Sequence, residues 1–267
     1  MRKLLVIVFS FLTLALSAQT LDSQWKGCRV AVLGDSISDP GLAEARGWCS
    51  WWKRMEDILG VKSYSYAING YQMNGLLSQA GKMKSELGDE LDAIFIFCGT
   101  NDFNANVPIG EWYTEDYSSV NKNGRQMLLK HREPVFSDAT FKGRINIILD
   151  WIKTNYPDKQ IILLTPMHRG FAKFSDNNVQ PEESYANTLG LFVDDYVQAV
   201  KDAGNVWSVP VIDINGLSGL MPRYDSFVKY FENGTNDRLH PSDSGHERLA
   251  YTISYQLLAL PSGVIGD

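Results

Sequence analysis

Apolar residues along the chain fall into two alternating kinds of run. Short continuous runs occur at Cys28–Leu33, Tyr64–Ile68, Asp92–Cys98, Gln160–Thr165 and Ser208–Ile214. Between them apolar residues recur at helical spacing. Phe141, Ile145, Ile148, Leu149 and Ile152 form one stripe behind a Ser137 N-cap. Tyr185, Leu189, Phe192, Val193, Tyr196 and Val200 form another, with Gly204 as its stop. Leu249, Ile253 and Leu257 mark a last helix after Pro241, and weaker patterns cover 48–59 and 73–83. Continuous apolar strands separated by helices predict a parallel sheet covered on both faces. With no internal repeat, low-complexity linker or break in composition, the pattern predicts one α/β domain over 19–267.

Two segments depart from it. Residues 103–136 separate the third strand from its helix by far more than the usual βα loop of about 2–6 residues. They carry Trp112, Tyr113, Tyr117 and an Asn123-Gly124 hairpin signal. Such an insertion either overhangs the binding crevice or is an edge hairpin with a structural role. The N-terminus opens Met1-Arg2-Lys3, runs apolar for 13 residues to Leu16 and reaches Ser17-Ala18. That is the pattern of a bacterial-type secretory signal peptide over 1–18, too short to span a bilayer, which takes about 20 residues. Cleavage predicts an exported, periplasmic or extracellular protein with no stable membrane insertion.

The 267 residues carry a formal charge of −6, and loss of Arg2 and Lys3 takes this to −8. An acidic chain argues against nucleic acid as a partner, because displacing phosphate counterions needs a basic face. Three cysteines, Cys28, Cys49 and Cys98, exclude a disulfide-dense scaffold. No pairing is expected, since Cys98 sits inside an apolar strand where a thiol behaves as a small hydrophobe.

The candidate chemistry lies at strand ends. Gly34-Asp35-Ser36-Ile37-Ser38 follows the first strand, Ile68-Asn69-Gly70-Tyr71 the second and Gly99-Thr100-Asn101-Asp102 the third, and Asp237-Arg238-Leu239-His240-Pro241 lies near the C-terminus. Ligands bind at such strand ends in open α/β sheets. Each block alone is commonplace in turns. In this order the four resemble the SGNH (GDSL-type) hydrolase family of esterases and lipases, over nearly the whole chain from Cys28 to about Leu260. The resemblance implies a three-layer α/β/α sandwich of flavodoxin type with about five parallel strands. It implies Ser36 as nucleophile, His240 as the base that activates it, and Asp237 as the group that orients the imidazole from a short loop or helical turn. The backbone N–H groups of Ser36 and Gly70 and the Asn101 amide would form the oxyanion hole. Asp102 reads as a turn cap.

Other candidates carry less. Asp243-Ser244-Gly245-His246 looks like a triad, but neighbours at a helix start cannot converge on one atom. His246-Glu247 lacks the second His of a zinc helix, and no G-x-S-x-G elbow is present. No cofactor or metal is expected. His131 reads as solvated, and Asp213 as fixing a loop. Trp112, Tyr113, His168 and Arg169 are candidate substrate contacts. The resemblance, with the N-terminal segment, implies an exported serine esterase that deacetylates carbohydrate esters of small-molecule or polysaccharide substrates. The alternatives are a lipase, lysophospholipase or thioesterase acting on acyl lipids, and a non-catalytic glycan-binding protein.

Overall fold

A computed structural model describes residues 23–262, so residues 1–18, the stretch that reads as a signal peptide, lie outside the described residues. In chain order the elements are β1 (Arg29–Gly34), α1 (Pro40–Arg46), α2 (Trp51–Leu59), β2 (Lys62–Ser65), α3 (Leu76–Leu87), β3 (Ala93–Phe97) and α4 (Thr100–Asn104). The hairpin β4 (Tyr113–Lys122) and β5 (Arg125–Pro134) precedes α5 (Phe141–Asn155) and β6 (Gln160–Leu164). A small hairpin, β7 (Ala172–Ser175) and β8 (Asn178–Gln180), leads to α6 (Val193–Trp207), β9 (Val211–Ile212) and α7 (Ile214–Leu217). The described chain closes with β10 (Phe231–Asn233), β11 (Asp237–Pro241) and α8 (Asp243–Leu257).

Five strands form a parallel sheet in the order β2-β1-β3-β6-β9. The central strands β1, β3 and β6 are apolar on both faces because both are covered, whereas the edge strand β2, Lys62–Ser65, is polar and partly exposed. Ala31, Leu33, Ile94, Ile96, Ile161 and Leu163 point into one core with Leu76, Ile148 and Val200 of the helices α3, α5 and α6. Val30, Val32, Phe95, Phe97, Ile162 and Leu164 point into the other with Trp51, Met55, Leu249 and Ile253 of α2 and α8. The fold is a three-layer α/β/α sandwich with five parallel strands, as the four-block resemblance implies. From β1 the chain goes to β2 on one side and then to β3 on the other. The crevice at the carboxyl ends of β1 and β3 is therefore a topological switch point, where ligands bind in such sheets.

Several boundaries differ from the sequence pattern. The second strand covers 62–65 rather than 64–68, although the Tyr66 and Ile68 N–H groups still donate to Val32 and Gly34 of β1 at 2.9 and 3.2 Å. The fifth is only two residues long. Helix α5 starts after Thr140, and Ser137 Oγ instead accepts from Ala139 N–H. Tyr185 and Leu189 lie before α6 and are exposed, because the Asn187 side chain accepts from Leu189 and Leu191 N–H and holds a turn there. Gly204 is no stop, since the helix runs on to Trp207. A Cβ there would meet Val211 Cγ2 at 2.6 Å, so the glycine permits close packing of α6 on β9. The three cysteines are free. No helix among the described residues is long and apolar enough to cross a membrane.

Candidate active site

Strand β1 delivers Ser36 into the crevice through a tight turn. Gly34 begins it: a Cβ there would lie 2.6 Å from the Phe97 carbonyl of β3, so no larger residue fits without a shift. The buried Gln79 amide brackets Gly34, accepting from its N–H at 2.9 Å and donating to its carbonyl at 2.8 Å. Asp35 is buried and accepts from Ile37 N–H at 3.1 Å, and burial pushes its carboxyl up to about 7. On the exit side Ser38 takes the indole N–H of Trp51 on Oγ and that of Trp52 on its carbonyl, both at 3.0 Å. Asp39 caps α1 through Leu42 N–H and accepts Asn69 N–H at 2.5 Å on its other oxygen, tying the Ser36 turn to the Asn69-Gly70 loop.

His240 reaches Ser36 from the far end of the chain. The segment read as a loop or helical turn is a strand, β11, paired antiparallel with β10 and β7. His240 Nε2 lies 2.9 Å from Ser36 Oγ, and its Nδ1 lies 2.9 Å from Asp237 Oδ2. Asp237 Oδ1 accepts the N–H groups of Leu239 and His240 at 3.2 and 3.0 Å. Burial raises the Asp237 carboxyl. The hydrogen bond and charge of His240, the His240 N–H and the Arg46 guanidinium outweigh that and hold it below the usual carboxylate range. With Asp237 ionised, Nδ1 carries the proton and Nε2 is left to accept from the serine hydroxyl, which is the arrangement a general base needs.

Gly70 and Asn101 face Ser36 across the same cleft. Gly70 has φ +77°, a region favouring glycine, which turns the chain after Asn69. Among the described residues no acceptor engages the N–H of Ser36 or of Gly70. Asn101 Nδ2 donates one hydrogen to the Tyr71 carbonyl at 2.9 Å, which orients the amide and leaves the second hydrogen free. Asp102 is more than a turn cap. It is fully buried, accepts Met73 N–H at 2.9 Å and pairs with Arg144 at 2.8 Å, fixing α4 to α5 beneath Asn101. Burial pushes its carboxyl up to about 6 despite those partners.

The cleft has a volume of about 410 Å³ and an amide-rich wall: Asn69, Gln72, Asn101, Asn104, Asn178 and Gln180. Its apolar contributors are Ala105, Phe174 and Leu239. The β7–β8 hairpin supplies Phe174, Asn178 and Gln180, and Phe174 meets the His240 ring edge-on with centroids 5.4 Å apart. Sequence reasoning missed this hairpin, whose Ser175-Asp176-Asn177-Asn178 stretch was the available turn signal.

The four candidate substrate contacts are not among the residues lining the cleft. Trp112 and Tyr113 stand at the base of the long hairpin, where the Trp112 carbonyl accepts from Asn146 Nδ2 and Arg132 stacks on the Tyr113 ring. His168 pairs with Glu183 at 3.0 Å, and that hydrogen bond raises its basicity. Arg169 is 1% exposed behind the wall. It donates to the Thr100 carbonyl and hydroxyl, both at 3.2 Å, and to Gln180 at 2.6 Å. It therefore braces a cleft residue and the residue before Asn101 without reaching the cleft. His246 is buried beside Trp48 with both ring nitrogens unpartnered, and burial pushes it down to about 3. Among the described residues no group of three or more His, Cys, Asp or Glu side chains is placed to hold a metal.

A family model described as GDSL-like Lipase/Acylhydrolase family matches residues 32–248. Solved structures share the fold. A protein from Lactobacillus plantarum aligns with TM-score 0.66 and 21% identity, over 88% of this chain and 98% of that one. One described as a possible lipase from Chitinophaga pinensis aligns with TM-score 0.63 and 22% identity, over 87% and 98%. A member of the lipolytic protein G-D-S-L family from Veillonella parvula aligns with TM-score 0.54 and 15% identity, over 87% and 98%. No curated protein matches the chain.

Proposed function

The chain belongs to the GDSL-like lipase/acylhydrolase family, a family of ester-bond hydrolases, and from that premise we propose that it is an exported serine esterase removing short acyl groups, chiefly acetyl, from carbohydrates. The observation that carries the serine reading is the relay of two 2.9 Å contacts, Ser36 Oγ to His240 Nε2 and His240 Nδ1 to Asp237. Ser36 Oγ attacks the ester carbonyl while its proton passes to Nε2. The negative charge on the carbonyl oxygen falls to the N–H groups of Ser36 and Gly70 and the free hydrogen of Asn101. His240 returns the proton to the departing alcohol, leaving an acyl-enzyme. Water then attacks that ester with His240 again as base, releasing the acid and restoring Ser36.

The cleft wall supports the substrate class. Six side-chain amides offer donors and acceptors to a hydroxyl-rich alcohol, and Phe174 offers a face for a sugar ring. A wall of this polarity suits a short acyl group better than a long chain, which disfavours the acyl-lipid reading. The basic and then apolar opening of the chain supports export.

The test is hydrolysis of p-nitrophenyl esters and acetylated polysaccharides by wild-type protein and Ser36→Ala. The expected outcome is activity on acetate that falls with longer acyl chains, release of acetate from polysaccharide, and loss of both in the variant. A rate climbing from acetate to octanoate would overturn the carbohydrate assignment in favour of acyl lipids.

A further inference from the structure

Asp237 has a partner that the four sequence blocks do not contain. Its Oδ2, the oxygen nearer His240 Nδ1, also accepts from Arg46 Nη1 at 3.1 Å, across 191 residues of chain. Arg46 ends α1. Gly47, with φ +71°, turns the chain there, and Trp48 N–H returns to the Ala43 carbonyl at 2.9 Å. The turn brings the Trp48 ring under the guanidinium, 4.8 Å from its carbon. The same ring lies 6.5 Å from that of His240. The Asp237 side chain is 7% exposed and that of Arg46 22%, so this pair is screened less than a surface ion pair. Among the residues lining the cleft, Arg46 carries the one permanent charge.

We propose that Arg46 is a positioning residue for the hydrolysis, holding the Asp237 carboxylate on His240 Nδ1 and offsetting part of the negative charge that the imidazole feels. The inference rests on the serine esterase reading. A carboxylate beside an imidazole favours the imidazolium, and a cation beside that carboxylate opposes it. Four titratable or charged groups surround the ring: Asp237 on its own strand, the Ser36 hydroxyl from the β1 turn, Arg46 from α1, and His246 of α8, which also touches Trp48. Burial, with Arg54 nearby, keeps His246 neutral. Phe174 of β7 and Trp48 close the remaining sides without charge. Arg46 is thus the cation that tempers Asp237. Its loss leaves the charge of Asp237 on the imidazole unopposed and Oδ2 held by His240 alone, while Oδ1 keeps the Leu239 and His240 N–H groups.

The experiment measures kcat and KM for p-nitrophenyl acetate from pH 5 to 8.5 in wild type, Arg46→Gln, Arg46→Met and Arg46→Lys, with fluorophosphonate labelling of Ser36 in each. Both neutral variants should lose about tenfold in kcat with KM within about twofold, and the acid limb of the profile should move up by about half a pH unit. Arg46→Lys should restore the limb and part of kcat. A limb that stays at the wild-type position in the neutral variants, a Lys variant no better than Gln, or failure of both neutral variants to fold would reduce Arg46 to a packing residue and overturn the proposal. Wild-type protein that hydrolyses the ester without labelling at Ser36 would overturn the serine reading itself.

Discussion

The crevice at the ends of β1 and β3 and the hairpin arm β4–β5 make opposite use of local sequence signals. Both are marked by short motifs, GDSIS and GTND for the crevice and Asn123-Gly124 for the arm. The arm forms as its turn chemistry dictates. Asn123 and Gly124 adopt φ of 54° and 79°, and ten residue pairs stay in register from Tyr113↔Pro134 to Lys122↔Arg125. Little of the molecule packs against it, and Tyr117 and Leu128 are 65% and 67% exposed. In the crevice the side chains are held from elsewhere in the chain: Ser36 by His240, Asp237 by Arg46, and Asn101 by the Tyr71 carbonyl, with the Asn69 N–H held by Asp39. Aromatic content in a long insertion is therefore a poor guide to a binding site. Convergence of hydrogen bonds from distant parts of the chain is a better one.

That contrast can be broken at several points. Removing the free amide donor through Asn101→Ala should lower kcat by about 10²–10³ with little change in KM. Steady-state kinetics on p-nitrophenyl acetate check this, and an unchanged kcat removes Asn101 from the oxyanion hole. The next effect is on stability. Burial raises Asp35 to about 7, so the folded state holds a proton that the unfolded state releases near the ordinary carboxylate range. Stability tied to this group is therefore present at low pH and lost as pH rises from about 4 to 7. Asp35→Asn keeps the acceptor for Ile37 N–H and removes the titration. Its melting temperature should gain several °C on wild type between pH 4 and pH 8. A constant gap across that range would show that Asp35 does not titrate as described. Replacing residues 114–133 by a two-residue Asn-Gly turn should have the smallest effect, with kcat on a small acetate ester within about twofold of wild type. A large loss would make the arm part of the site and undo the comparison.

Much of the fold was legible because its signals are local. Apolar runs placed β1, β3, β6 and β9 and fell two to three residues late on the polar edge strand β2, and the stripe from Phe141 to Ile152 placed α5. The triad and oxyanion candidates were legible because each lies in a short block, three of them just after a core strand and the fourth, Asp237–Pro241, itself a strand. What escaped the sequence was set by partners far along the chain. Nothing near Arg46 signals Asp237, 191 residues away, and nothing near Gln79 signals its bracket on Gly34. Asp102 read as a cap because its ion pair partner, Arg144, lies 42 residues further along the chain. The cleft wall at Asn178 and Gln180 was hidden in a short polar hairpin with no apolar period. Tyr185 and Leu189 misled in the other direction: their spacing is helical, but Asn187 gives the backbone a competing turn.

Ser36 as the nucleophile is tested by reaction of the purified protein with a fluorophosphonate, read by intact mass and peptide mapping alongside hydrolysis of p-nitrophenyl acetate. The prediction is one adduct per chain, on Ser36, with activity lost in step with labelling, and neither adduct nor activity in Ser36→Ala. An adduct at another residue, or hydrolysis that survives Ser36→Ala, would contradict it.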